Sequence, residues 1–279
     1  MTAFSFPYLD GHVHIFPQAW QRRIYSWFAR DGWQVLYDNR FEEDIWTMLE
    51  GLGAGGASIL VYAHKPGLAR QLNRWLFQWA QGRPRLRLYG TVHPDDEDFA
   101  GIVREALDEF HFAGFKIHAN VQEVRVDDCR LWPLYEMILE RGRSLVIHAG
   151  REPHRKDTVG VSFFVALMSR FPGLRVQVAH LGYDEVDQFV KLMEEFPGIY
   201  LDTAAIPGTR LPLSSRKLRE IMDRFPRRII YGSDAPILEE AIEVHRQRIW
   251  EAAGSDIKRR QIFRENLLDF WGPPFNSLE

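Results

Sequence analysis

The chain has 279 residues, 46% of them hydrophobic and 26% charged, with a formal net charge of −3. It is long enough for one sizeable core or two small ones, and its slight acidity argues against nucleic acid or an anionic membrane as a main partner, since both need a concentrated basic face. A single cysteine, Cys129, excludes an internal disulfide and fits a reducing compartment. With no signal-peptide pattern at the start and no apolar run of membrane-spanning length, the sequence predicts a cytoplasmic protein.

Taken in chain order, Tyr8-Leu9-Asp10-Gly11-His12-Val13-His14-Ile15-Phe16 reads as the first strand. Apolar, β-rich runs follow at 57–63, 86–93, 112–118, 144–149, 175–181, 198–203 and 228–234. Helix-like periodicity occupies 41–52, 68–81, 99–110, 131–141, 161–171, 186–196 and 215–225. Successive strand centres lie about 23 to 48 residues apart, close to the length of a strand–helix–strand unit. Eight such units predict an α/β fold, a distorted (β/α)8 TIM barrel in one domain over 1–279.

The helix ends agree with that alternation. Asp127 and Asp128 precede one helix and Arg141-Gly142 closes it, while Phe171-Pro172-Gly173, Phe196-Pro197-Gly198 and Phe225-Pro226 repeat one stop signal before three strands. An open doubly wound sheet would carry a glycine-rich turn after its first strand, where this chain has His12-Val13-His14. The connection 17–56 holds Trp20, Tyr25, Trp27, Phe28, Trp33 and Tyr37. It reads either as an aromatic lid or as a helix packed on the rim or on a second subunit.

In such barrels chemistry sits at the C-terminal ends of the strands. Seven of the ten histidines fall there: His12, His14, His64, His93, His118, His148 and His180. Chance would place about one, because strand ends make up roughly a tenth of the fold. Residues i and i+2 of a strand share a face, so His12 and His14 project together. Asp234 adds a carboxylate at the eighth strand end, and His12, His14, His148, His180 and Asp234 are the residue types that hold a divalent ion while leaving a position for water. For His64, His93 and His118, substrate contact competes with helix capping or loop packing.

The motifs Asp10-Gly11-His12-Val13-His14, Gly114-Phe115-Lys116-Ile117-His118, Val146-Ile147-His148-Ala149-Gly150, Ala179-His180-Leu181-Gly182, Tyr231-Gly232-Ser233-Asp234-Ala235-Pro236 and Ile262-Phe263-Arg264-Glu265-Asn266-Leu267 span nearly the whole chain. In order and spacing they resemble the metal-dependent amidohydrolase superfamily, specifically the amidohydrolase-related (amidohydrolase 2) branch of hydrolases, lactonases and non-oxidative decarboxylases. The resemblance implies His12, His14 and Asp234 as ligands of a first metal, with His148 and His180 as further ligands or catalytic groups. It also implies that Lys116 can carry a carbamate bridging two metals. An unmodified Lys116 ammonium cannot ligate and would instead bind an anionic group of the substrate. The expected cofactor is one or two divalent ions, zinc first, with manganese or iron as alternatives. Relatives of this kind often pair, so a homodimer is one assembly the resemblance implies.

A bound divalent ion makes water nucleophilic near neutral pH and polarises a carbonyl. The leading expectation is therefore a hydrolase of an amide, lactone or other ester, with Asp234 moving the proton and His180 as the alternative acid/base. Arg151, with His154, Arg155 and Lys156 in the loop after the fifth strand, suits an anionic small-molecule substrate. The alternatives are a non-oxidative decarboxylase of a carboxylated ring and a barrel that binds without turnover.

Overall fold

The computed structural model describes residues 6–151, 156–208 and 212–278. Its strands are β1 (Tyr8–Val13), β2 (Ala54–Leu60), β3 (Leu86–Gly90), β4 (Gly114–His118), β5 (Ser144–His148), β6 (Val176–Val178), β7 (Ile199–Asp202) and β8 (Ile229–Ile230). Helices α1 (Gln18–Arg30) and α2 (Glu42–Gly51) follow β1, α3 (Ala69–Trp79) follows β2, and α4 (Phe99–Arg104) follows β3. After β4 come α5 (Ala119–Gln122) and α6 (Trp132–Glu140); α7 (Val161–Arg170), α8 (Val186–Glu195) and α9 (Ser215–Arg224) follow β5, β6 and β7. The chain ends with α10 (Ile242–Ala253), α11 (Asp256–Arg260) and α12 (Asn266–Trp271).

The strands are parallel and neighbour one another in sequence order, as the alternation of strand and helix predicts. The barrel closes between its first and last strands. Gly11 N–H donates to Tyr231 O at 2.9 Å, Asp234 N–H to His12 O at 2.9 Å and His14 N–H to Ala235 O at 2.7 Å. These bonds bring the His12-Val13-His14 segment beside Asp234, and Gly232 permits the approach: a Cβ there would stand 2.8 Å from that of His12.

Outward-facing Ile59, Phe115, Ile117, Leu145, Ile147 and Leu201 are buried under the helices. Inside the barrel, Leu60, Tyr89, Val146, Tyr200 and Ile230 fill the end opposite the site, and Phe270 and Trp271 of α12 plug it. The Trp271 indole N–H is satisfied by Ser58 Oγ at 2.9 Å, which lets so large a ring lie fully buried. With that end packed shut, only the C-terminal mouth is open to polar chemistry.

Three helices end as their Phe-Pro signals predict, α7 at Arg170, α8 at Glu195 and α9 at Arg224. Several strands are shorter than their apolar runs. β6 stops at Val178 because His180, Leu181, Gly182 and Tyr183 take left-handed φ values of 57°, 53°, 79° and 56°. β3 stops at Gly90, and the chain turns so that Asp96 accepts the His93 N–H at 2.8 Å. The aromatic connection begins with a helix, α1, whose Trp27 is 42% exposed, and the following loop docks on the segment after β8 through Leu36 N–H to Leu238 O at 2.7 Å. No helix among the described residues is long and apolar enough to cross a membrane.

Behind the β7–α9 loop, buried His245 of α10 donates from Nε2 to Thr203 O at 2.9 Å and reaches Ile206 O at 3.3 Å. Burial lowers its pKa to about 4, although both carbonyls favour the protonated ring. The unfolded imidazole takes its proton near 6.5, so between those values the unfolded chain binds more protons. This contribution is complete above pH 6.5 and is lost as the pH falls, by on the order of 3 kcal/mol once both states are protonated. Urea unfolding at pH 7 and pH 4.5 should show His245→Gln losing less stability on acidification than the wild type.

Candidate metal centre

Three ligand atoms from the two ends of the barrel seam face one another. His12 Nε2 lies 3.1 Å from His14 Nε2, and Asp234 Oδ1 lies 3.4 Å from each. His180 joins them: one ligand atom each from His12, His180 and Asp234 falls within 4.8 Å of the others. Two ligand atoms about 2.05 Å from a tetrahedral ion lie about 3.3 Å apart, so these separations are those of a coordination shell.

The far side of each ring shows which nitrogen carries hydrogen. His14 Nδ1 lies 3.0 Å from Leu60 O and His180 Nδ1 lies 2.9 Å from Ala204 O, and a carbonyl can only accept. His12 Nδ1 lies 2.9 Å from Asp202 Oδ2. With Nδ1–H donated in all three, the Nε2 lone pairs of His12 and His14 point at each other and at a carboxylate oxygen. A bound cation relieves that arrangement, and the donor set fits a divalent metal.

Asp202 at the end of β7 holds the assembly. Its Oδ2 accepts from His12 Nδ1 and from Gln177 Nε2 at 2.6 Å, while Oδ1 accepts the His180 N–H at 2.8 Å and the Ala204 N–H at 3.1 Å. Gln177 of β6 also donates to Gly11 O at 2.9 Å. Four donors converge on one buried carboxylate, so a neutral amide would set its own N–H against one of them. The left-handed run after β6 turns the His180 ring towards the centre, and Gly182 is needed within it, since a Cβ there would meet Phe189 at 2.1 Å.

Burial, aided by Lys116 and neighbouring imidazoles, holds the His12, His118 and His180 rings well below their ordinary pKa, in the neutral form that ligates or donates. Burial raises the Asp234 carboxyl above the usual carboxylate range, against the pull of His14 and Lys116. Asp10 behaves differently from its strand neighbours. Its Oδ1 accepts the His12 N–H at 3.1 Å and the Ser233 N–H at 2.9 Å, clamping the seam, and burial raises its pKa to about 7.

Around this core, His118 and His148 pair in register on β4 and β5 and stack with centroids 4.0 Å apart. His148 meets the His180 ring at 5.0 Å, and Tyr183 meets His180 at 4.4 Å. Lys116, two residues before His118, is fully buried inside the barrel, and burial lowers its pKa to about 8 despite Asp202 and Asp234. Beside the cluster, Tyr62 lies 5.4 Å from His14 and 4.9 Å from His118, and the buried Phe16 ring packs edge-on against Tyr62 at 5.0 Å.

The remaining rim residues lie apart from the cluster. His64 is exposed, because Tyr62 takes the inward position at the end of β2. His93 Nδ1 accepts the Asp95 N–H at 3.2 Å within its own turn. Arg151 is half exposed, with Nε 3.5 Å from Glu185 Oε1, and Lys156 pairs with Glu123 at 2.7 Å. Residues Glu152, Pro153, His154 and Arg155 of that loop lie outside the described residues. Sequence reading did not single out Asp202, Gln177, Tyr62 or Tyr183. An acid closing the seventh apolar run was the one available signal for Asp202; the others carry no motif.

Fold and geometry together define a (β/α)8 barrel with a buried His/His/Asp cluster at its C-terminal mouth that could hold a divalent metal. The amidohydrolase family profile matches residues 9–272, and the chain belongs to that family. Among solved structures it is similar to the 5-carboxyvanillate decarboxylase of Sphingomonas paucimobilis (17% identity, 96% of this chain and 99% of that chain, TM-score 0.70). It is also similar to the 5-carboxyvanillate decarboxylase of Novosphingobium aromaticivorans, solved with manganese and 4-hydroxy-3-methoxy-5-nitrobenzoic acid (15% identity, 96% of each chain, TM-score 0.64). A 2,6-dihydroxybenzoate decarboxylase complexed with 2,6-dihydroxybenzoate is a third (12% identity, 95% and 99% of the two chains, TM-score 0.71). At these identities the likeness shows the shared barrel fold. A comparison with curated proteins returned no match.

Replacing Asp202 by Asn should weaken metal binding by about 10- to 100-fold, because the His12 ring loses the acceptor that orients it. Competition with a chromogenic chelator measures this; unchanged affinity would remove Asp202 from the centre.

Proposed function

We propose that this protein is a metal-dependent, non-oxidative decarboxylase of small aromatic carboxylic acids, with one divalent ion held by His12, His14, His180 and Asp234. The observation that carries the reading is the make-up of the mouth: the metal-site histidines stand beside the half-buried Tyr62 ring, an aromatic neighbour against which a planar ring can pack. The barrel's similarity to decarboxylases over almost the whole of both chains supports it. Hydrolysis of an amide, lactone or ester by the same centre is the rival reading, and the family membership is compatible with both.

A divalent ion, when bound, would supply Lewis acidity to the anionic oxygens of the substrate. The chain's own residues do the rest. Tyr62 lines the side on which a ring can lie, and the neutral His118 ring, with His148 stacked on it, adds a polar face beside Tyr62. Asp234 is the acid/base candidate. As the ring–carboxyl bond breaks, its electron pair stays on the ring carbon, carbon dioxide leaves, and the Asp234 carboxyl gives its proton to that carbon before recovering one from solvent. His180, held by Ala204 O and its own N–H to Asp202, is positioned to ligate and not to shuttle.

With manganese added, 2,6-dihydroxybenzoate and 5-carboxyvanillate are the first acids to try. In deuterated water, turnover should release carbon dioxide and leave one deuteron at the vacated ring carbon. Asp234→Asn should slow this by at least about 100-fold, the low end of what a positioned acid contributes. Chelation should abolish turnover and manganese restore it. Carbon dioxide-free turnover of lactones or esters, with these acids inert, would replace this reading by the hydrolase.

A further inference from the structure

Several polar groups remain once the metal centre is assembled, and three of them lie on β4 and just after β2. Among the described residues, Lys116 Nζ and His118 Nδ1 are buried without a hydrogen-bond partner, and Tyr62, which carries a hydroxyl, stands against the His118 ring. They belong to one place. Lys116 and His118 are two apart on β4 and share its inner face, while Phe115 and Ile117 between and beside them pack outwards into the core under the helices. The His118 ring meets Tyr62 at 4.9 Å, and both Lys116 and Tyr62 lie within Coulomb range of Asp234. A buried cationic side chain is ordinarily paired, and here the only anions it senses are already engaged elsewhere: Asp202 with its four donors and Asp234 with the metal-site histidines.

We propose that Lys116, His118 and Tyr62 form an anion-recognition subsite beside the metal centre, and that it holds a second acidic group of the substrate that survives the reaction. Lys116 supplies the charge, and His118, protonated at Nδ1, and the Tyr62 hydroxyl supply directed hydrogen bonds. The inference rests on the decarboxylase reading at one point. If these donors held the departing carboxylate, they would stabilise it relative to neutral carbon dioxide and slow the bond's cleavage. The group they hold is therefore a spectator, and the substrate class narrows to aromatic acids with two acidic groups.

Calorimetry on the manganese-loaded protein tests this with benzoate as the monoanion and phthalate and isophthalate as dianions of different charge separation. At least one dicarboxylate should bind about tenfold tighter than benzoate or better. Lys116→Met, which keeps the buried volume, should weaken that dicarboxylate by about 10- to 100-fold and leave benzoate within about twofold. Tyr62→Phe, which keeps the ring, should weaken it by about three- to tenfold, and this variant decides the matter if Lys116→Met does not fold. Equal binding of all three acids by the wild type, or equal weakening of both classes in the variants, would overturn the subsite. So would a carbamate on Lys116 in crystals grown with bicarbonate. Carbon dioxide release is measured separately: selective dianion binding without it would sink the decarboxylase reading and leave the subsite standing.

Discussion

The carboxylate of Asp202 is the point on which the site depends. It lies fully buried at the end of β7 and accepts from the His12 ring on β1, the Gln177 amide on β6 and the backbone N–H groups of His180 and Ala204. None of these bonds is redundant. The first sets the tautomer of a ligand, the second ties β6 to β1 across the barrel interior, and the last two hold the loops from which His180 projects. A group that is only an acceptor, at the meeting of four donors, gives these elements one mutual arrangement.

A second constraint follows from the first. The barrel interior holds Lys116, Asp202 and His12 with no solvent exposure, and Asp10 alongside them. Charges of this kind are tolerated in a low-dielectric interior when each has a partner or a ligand. Asp10 has two backbone N–H groups and Asp202 its four donors. His12, His14 and Asp234 have one another, an arrangement that a bound cation would satisfy. Lys116 has no hydrogen-bond partner. On the proposed reading, the polar mouth is built around two components from outside, one cationic and one anionic.

Strain in the backbone is found in the same place. His180, Leu181 and Tyr183 take left-handed φ, and Asp234 takes φ 75°. Left-handed geometry costs an ordinary residue roughly 1–2 kcal/mol. Two of these four residues, His180 and Asp234, belong to the candidate metal cluster, and Tyr183 packs on His180. The strained turns aim ligands into the mouth from strands whose straight continuation would carry them past it.

Much of the fold was legible in the sequence because it rests on local patterns. Apolar runs at the length of strands, helical periodicity between them and the Phe-Pro stops of α7, α8 and α9 are each properties of a few consecutive residues, and together they specify eight parallel strands around a barrel. The shared strand face of His12 and His14 follows from the same two-residue period, and the histidines at the strand ends include His12, His14 and His180, which the structure brings together. Tertiary structure alone decided which rim residues converge. His64 and His93 sit at strand ends by sequence, yet the chain leaves the sheet before them, so Tyr62 faces inwards at β2 and His93 serves its own turn. Asp202 and Gln177 are isolated polar residues in apolar runs, without a motif of their own. Their roles depend on distances across the barrel, between residues as far apart in the chain as His12 and Asp202, and those distances exist only once the seam between β1 and β8 has closed.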